Sequence, residues 1–298
     1  MNRVSGVIQQ RAFTRWFLLA LMLAVGAAVM LAPLAAYAVA GAGLRIPFPR
    51  IFDRVVMITL TVAILLLARR LGLLNLLRDG FAEPRRNLSQ ILIGAAIALA
   101  VMAGLFALAI AIAHPPLAIA SLLWRATRSL AAAILIALIE EAFFRAILLG
   151  GLTWDFGQRT ALLVSAAIYA LAHLLRSPRH YYLAGFHPTA GCANLVASLV
   201  RIVHPDGLLA MTVGLFLLGL VLGAAFLVTG RVYLSLGLHA GFVLGAKCWP
   251  LVASSSRRLP RWLAGPGPVP LIAAPAAWAA ALALLAVILF AGALGSRP

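Results

Sequence analysis

Eight apolar stretches, each close to the length needed to cross a bilayer, leave this chain few folds to choose from. They are Trp16–Gly41, Val55–Leu74, Leu88–Ala113, Ser129–Leu152, Thr160–Leu175, Gly207–Thr229, Val232–Ala253 and Leu271–Leu294. About 20 residues of helix span a ~30 Å hydrocarbon layer. Inside that layer every backbone N–H and C=O needs an internal partner, which restricts spanning structures to helices and closed barrels. The alternating ten-residue pattern of a barrel does not occur. The expected fold class is therefore all-α, a polytopic membrane helix bundle with about eight transmembrane helices. Hydrophobic residues make up 64% of the chain and charged residues 10%, against roughly 45–50% and 25% in soluble domains. Trp16, Trp124, Trp154, Trp249 and Trp262 lie at or near the ends of these stretches, where interface anchors sit.

No soluble domain fits between the stretches, so the chain reads as a single integral-membrane domain, 1–298. The first stretch has a basic flank (Arg3, Arg11, Arg15) and small residues at Ala35–Ala40, as a cleavable signal peptide does. Its greater length and the spans after it favour a retained membrane helix. The net charge of +17 comes from arginines spread over nearly every loop, as expected of loops facing anionic headgroups. With no compact basic domain outside the apolar stretches, no nucleic-acid partner is expected. The basic residues divide evenly between the two sides of the membrane. The dense stretch Arg69–Arg86 tips the expected orientation toward a cytoplasmic N-terminus. Cys192 and Cys248 form no disulfide framework or metal pattern. The Arg- and Ala-rich composition points to a bacterial host, and hence to its inner (cytoplasmic) membrane.

Of the seven acidic residues, Glu140 and Glu141 stand side by side within an apolar stretch. A charge near the bilayer centre costs roughly 2.5–3.5 kcal/mol on insertion scales, and such residues face partners or a water-filled cavity. Glu141 and Arg145 are four apart, share a helix face and can pair. Glu140 is rotated by about 100° from Glu141. Arg145 is thus expected to neutralise and orient Glu141, leaving Glu140 to point into a cavity and take a proton from water. Two histidines also lie within apolar stretches, His173 in the fifth and His239 in the seventh. The other histidines (His114, His180, His187, His204) fall in loops. A buried charge cluster that only locks helix packing is the plainer alternative. Two imidazoles from separate spans beside a carboxylate pair favour a shared, water-accessible site.

The run Glu140-Glu141-Ala142-Phe143-Phe144-Arg145 resembles the Glu-Glu-x-x-x-Arg signature of the CAAX protease and bacteriocin-processing (CPBP, or Abi) family of intramembrane endopeptidases. A second family motif, Phe-x-x-x-His, is matched by Tyr169-Ala170-Leu171-Ala172-His173, with Tyr for Phe. The third, His followed four residues later by Asn or Asp, is matched at His239, but Val243 stands in the final place. The resemblance covers about Ser129–Val243, within a protease-like core of about 129–253. It implies hydrolysis of a peptide bond in or beside the membrane. Glu140 and His173 would activate the attacking water, and His239 would stabilise the oxyanion. Glu141 and Arg145 would complete the catalytic set, with Tyr169 binding substrate. Val243 means that one oxyanion contact is replaced or forgone.

One Glu and two His also make up the ligands of a thermolysin-like zinc site, here Glu140, His173 and His239. The His-Glu-x-x-His helix of that class is absent, and Glu141 already has Arg145 as its charge partner. A metal-free, glutamate-dependent mechanism with no cofactor is therefore favoured, with zinc as the alternative. The expected partners are a peptide or protein substrate at the membrane and the lipid bilayer itself. Two other classes compete. One is a catalytically inactive relative acting as an immunity or scaffold protein. The other is a proton-coupled transporter, against which the lack of internal repeats weighs.

Overall fold

The computed structural model describes residues 12–114, 119–174, 181–203, 208–253, 259–266 and 271–295. Arg3, Arg11, His180 and His204 lie outside the described residues. The long helices are α1 (Phe13–Gly41), α2 (Phe48–Leu66), α3 (Ser89–Ala113), α4 (Ile119–Glu141), α5 (Gly150–Leu174), α6 (Ala190–Val203), α7 (Leu208–Thr229), α8 (Tyr233–Cys248) and α9 (Pro275–Gly295). Between α4 and α5 runs a π-helical stretch, Ala142–Leu149. There is no strand among the described residues, so the protein is the all-α membrane bundle that the apolar runs predict.

Among the described residues, four helices are long and apolar enough to cross a membrane: Phe13–Gly41, Pro84–Ala113, Leu209–Thr229 and Pro275–Leu294. The other apolar stretches are helical too, but charge or length sets them apart. α2 carries Arg50, Asp53 and Arg54 in its first half. α4 contains Arg125 and Arg128 and ends on the glutamate pair. α5 is interrupted at Gly157, whose φ of 74° and ψ of 169° are not helical. α8 is only 16 residues long. The arginine pair expected within the second stretch leaves the long helix altogether. Arg69 and Arg70 sit on a separate turn, Ala68–Leu71, closed by Gly72 in the left-handed region at φ 62°. There the Arg70 guanidinium lies 5.3 Å over the Trp16 ring, a cation–π contact.

The chain groups into two compact units. The first comprises Met1–Leu74 and Leu171–Leu208. Its organising feature is a stripe of alanines along α1 (Ala20, Ala24, Ala28, Ala32, Ala36), all buried. Small residues four apart let helix backbones approach closely where lipid gives no hydrophobic drive to association. α2 takes that place, and Thr59 Oγ1 donates a hydrogen bond to the Ala24 carbonyl at 2.9 Å. On α6, Gly191 admits the α1 backbone, since a Cβ there would collide with the Val29 carbonyl.

The second unit comprises Asn75–Ala170 and Leu209–Pro298. Here Gly237, Gly241 and Gly245 recur every four residues along α8 and face α3. A Cβ at Gly237 would strike the Ile91 carbonyl, one at Gly241 would meet Ala98, and one at Gly245 would meet Met102. Gly94 on α3 returns the fit, lying against Leu234 and Leu238 of α8. The two helices thus cross nearly backbone to backbone. Since 3.6 residues make a turn, this glycine stripe turns Ser235 and His239 to another side of α8, where α4 packs.

Candidate active site

The carboxylate of Glu141 is the hub of the buried polar cluster in the second unit. Glu141 is fully buried, Arg145 is 1% exposed and His239 2%. Oε1 of Glu141 receives the His239 Nδ1 at 2.8 Å. Its Oε2 lies 3.3 Å from Arg145 Nε, an ion pair rather than a well-aligned hydrogen bond. The Ser235 hydroxyl, one helical turn before His239, donates instead to the Val232 carbonyl at 2.9 Å. A buried ion pair needs its remaining polar atoms served, and of the two partners Glu141 has that further contact, from His239.

Arg145 is held more by rings than by hydrogen bonds. Its guanidinium carbon lies 4.7 Å over the Tyr169 ring and 5.9 Å over the Phe144 ring. Its Nη1 and Nη2 find no hydrogen-bond acceptor among the described residues. The π-helical stretch carries both Phe144 and Arg145. Such stretches occur often at functional sites, because i→i+5 bonding fits one more residue into the turn. Ser165 on α5 donates to the Phe144 carbonyl at 3.3 Å, serving a backbone group within that stretch.

Glu140 behaves differently from its neighbour. Its side chain keeps 26% of its exposure, against none for Glu141. Its Oε2 lies 3.7 Å from His239 Nε2, and its carboxylate is hydrogen-bonded by the Tyr169 hydroxyl. His239 therefore stands between the two glutamates, with Nδ1 to Glu141 and Nε2 toward Glu140. A hydrogen bond at one ring nitrogen decides which role the other can play.

The second unit thus gathers Glu140, Glu141, Arg145, Tyr169 and His239. His173 sits one turn beyond Tyr169, at the end of α5, and belongs to the first unit. The expected Glu141–Arg145 pair is present; Glu140, expected to point into a cavity, has a partly exposed side chain beside His239.

Comparison with known families gives one match. The family model described as type II CAAX prenyl endopeptidase Rce1-like matches residues 122–245. Over that segment the chain matches the CAAX protease family. No curated protein and no solved structure matches the chain. The matched segment runs from within α4 to within α8, so it includes both glutamates, Arg145, Tyr169, His173 and His239. It falls almost wholly within the core expected at about 129–253. Together with the apolar helices, it makes this an integral membrane protein whose segment 122–245 is similar to a family of membrane peptidases.

Proposed function

We propose that this protein is an intramembrane endopeptidase in which Glu140 activates water to hydrolyse a peptide bond of a membrane-associated substrate. The observation that carries this reading is the placement of Glu140, a partly exposed carboxylate, 3.7 Å from the Nε2 of a buried histidine. That histidine is itself oriented by a second carboxylate at 2.8 Å. A base, a donor and a group that orients the donor form the arrangement expected of acyl hydrolysis. A water held on Glu140 gives up a proton to its carboxylate, and the water oxygen bonds to the carbonyl carbon. The carbonyl electron pair moves to oxygen, which accepts from His239 Nε2–H; the ring acts as an imidazolium, whose Nδ1–H stays hydrogen-bonded to Glu141. On collapse the C–N bond breaks and Glu140 returns its proton to the amine. Glu141 and Arg145 act as positioning residues. The share of His173 in activating the water rests on its motif.

The zinc alternative would have Glu140, His173 and His239 hold an ion that polarises the carbonyl and the water. Among the described residues no three His, Cys, Asp or Glu side chains are placed to hold a metal. We adopt the glutamate mechanism because Arg145 already serves as the charge partner of Glu141. We assign the protein to the bacterial cytoplasmic membrane on its composition.

The test is a proteomic comparison of cells carrying wild-type protein or Glu140→Ala, seeking truncated membrane or secreted proteins. Substrates cleaved only by the wild type, and equally spared by His173→Ala, support the proposal. Unimpaired cleavage by either variant overturns it. Val243 favours a second reading, an inactive relative that keeps the cluster for packing. Turnover by purified wild type that Glu140→Ala loses excludes that reading.

A further inference from the structure

Tyr169 carries a hydroxyl that packing does not require. The residue is 2% exposed. Its ring meets Phe144 edge-on at 5.0 Å and His239 at 6.3 Å, while Arg145 covers a face at 4.7 Å. A phenylalanine would keep all three contacts. Burying a hydroxyl is unfavourable unless it finds a partner, and here the partner is Glu140. The contacts on its edge and face fix the ring, so the hydroxyl is aimed and not free to swing.

We propose that the Tyr169 hydroxyl is a catalytic hydrogen-bond donor that stabilises the oxyanion together with His239. This inference rests on the endopeptidase reading above. The Glu140 carboxylate lies between two donors, the Tyr169 hydroxyl and the His239 Nε2 at 3.7 Å. A carbonyl attacked by water held on Glu140 is therefore within reach of both. In the resting site the phenol donates to the Glu140 carboxylate. Once Glu140 has taken the water proton, negative charge has moved from that carboxylate to the substrate oxygen, and the phenolic O–H follows it. The O–H bond stays intact throughout: Tyr169 donates a hydrogen bond, and the proton that later reaches the leaving amine is the one on Glu140. The Arg145 cation over the ring draws electron density from the phenol and strengthens its O–H as a donor. Val243, one turn after His239 on α8, offers no side-chain donor of its own.

The experiment uses the full-length protein in lipid nanodiscs. Its probes are a quenched fluorogenic peptide ending in farnesylated Cys plus three residues and an internally quenched transmembrane-peptide library. Tyr169→Phe is predicted to lower kcat about 100-fold, as loss of one oxyanion donor does, with KM and melting temperature little changed. Affinity for a phosphinate peptide, a mimic of the tetrahedral intermediate, is predicted to fall by the same factor as kcat/KM. Turnover by Tyr169→Phe close to wild type, with Glu140→Ala inactive, overturns the inference and leaves the endopeptidase reading standing. A fall in kcat with phosphinate affinity unchanged also overturns it, because Tyr169 then only orients Glu140. A wild type without turnover on either probe overturns both readings together.

Discussion

His239 Nδ1 and Glu141 Oε1 lie 2.8 Å apart, both wholly buried, on helices 98 residues distant in sequence. This bond joins α8 to α4 and leaves the other ring nitrogen facing Glu140. Glu141 is thus held between a cation and an imidazole, while Glu140 is the glutamate whose side chain keeps partial exposure.

The two glutamates should separate cleanly on mutation. Glu140→Gln is expected to abolish turnover and leave thermal stability close to wild type, because its side chain is partly exposed and lies outside the Arg145 pair. A differential-scanning melt beside an activity assay checks this. A large drop in melting temperature would place Glu140 in the structural cluster instead.

Removing Glu141 should unfold the site. Glu141→Ala leaves the buried Arg145 cation uncompensated, which is expected to cost about 3–5 kcal/mol. The double variant Glu141→Ala/Arg145→Met should be less destabilised than the sum of the two single changes, since neither charge is then left alone. Unfolding in mixed micelles measures both. Additive losses would show that the pair is not coupled.

Activity is expected to survive chelation. Treatment with 1,10-phenanthroline should leave turnover unchanged, and metal analysis of the purified protein should return no stoichiometric zinc. Zinc at one equivalent, lost together with activity, would reverse the choice between the two mechanisms.

The α3–α8 crossing should tolerate no added bulk. Gly237→Ala pushes a methyl group against the Ile91 carbonyl and is predicted to destabilise the protein by about 1–3 kcal/mol, the usual range for overpacking. Glycines with open surroundings, such as Gly104, should accept alanine without loss of stability. A Gly237→Ala protein as stable as wild type would mean that the helices can part at little cost.

Much of this site could be read from spacing alone. The four-residue interval from Glu141 to Arg145 predicts their pairing, because side chains one turn apart on a helix share a face. The 100° offset of Glu140 predicts its different environment for the same reason. Apolar run lengths predict an all-α membrane protein, since lipid permits little else. The π-helical stretch at 142–149 was not legible. Its residues, AFFRAILL, suit an ordinary helix equally well, and the widened turn answers to packing that no local pattern encodes. The Glu141–His239 bond was not legible either, because nothing in the spacing says which of two adjacent carboxylates an imidazole 98 positions away will choose. The eight apolar runs likewise overstate how many helices are long and uncharged enough to span by those criteria alone. α2 and α4 trade apolar residues for arginines, and α8 stops after 16.

Helices that touch through glycine have few protruding side chains to slide past one another. When the surrounding lipid thins or thickens, α3 and α8 should tilt as one rod, carrying the imidazole along without changing what it faces. Spin labels on the two helices would then report one separation in short-chain and long-chain lipids alike.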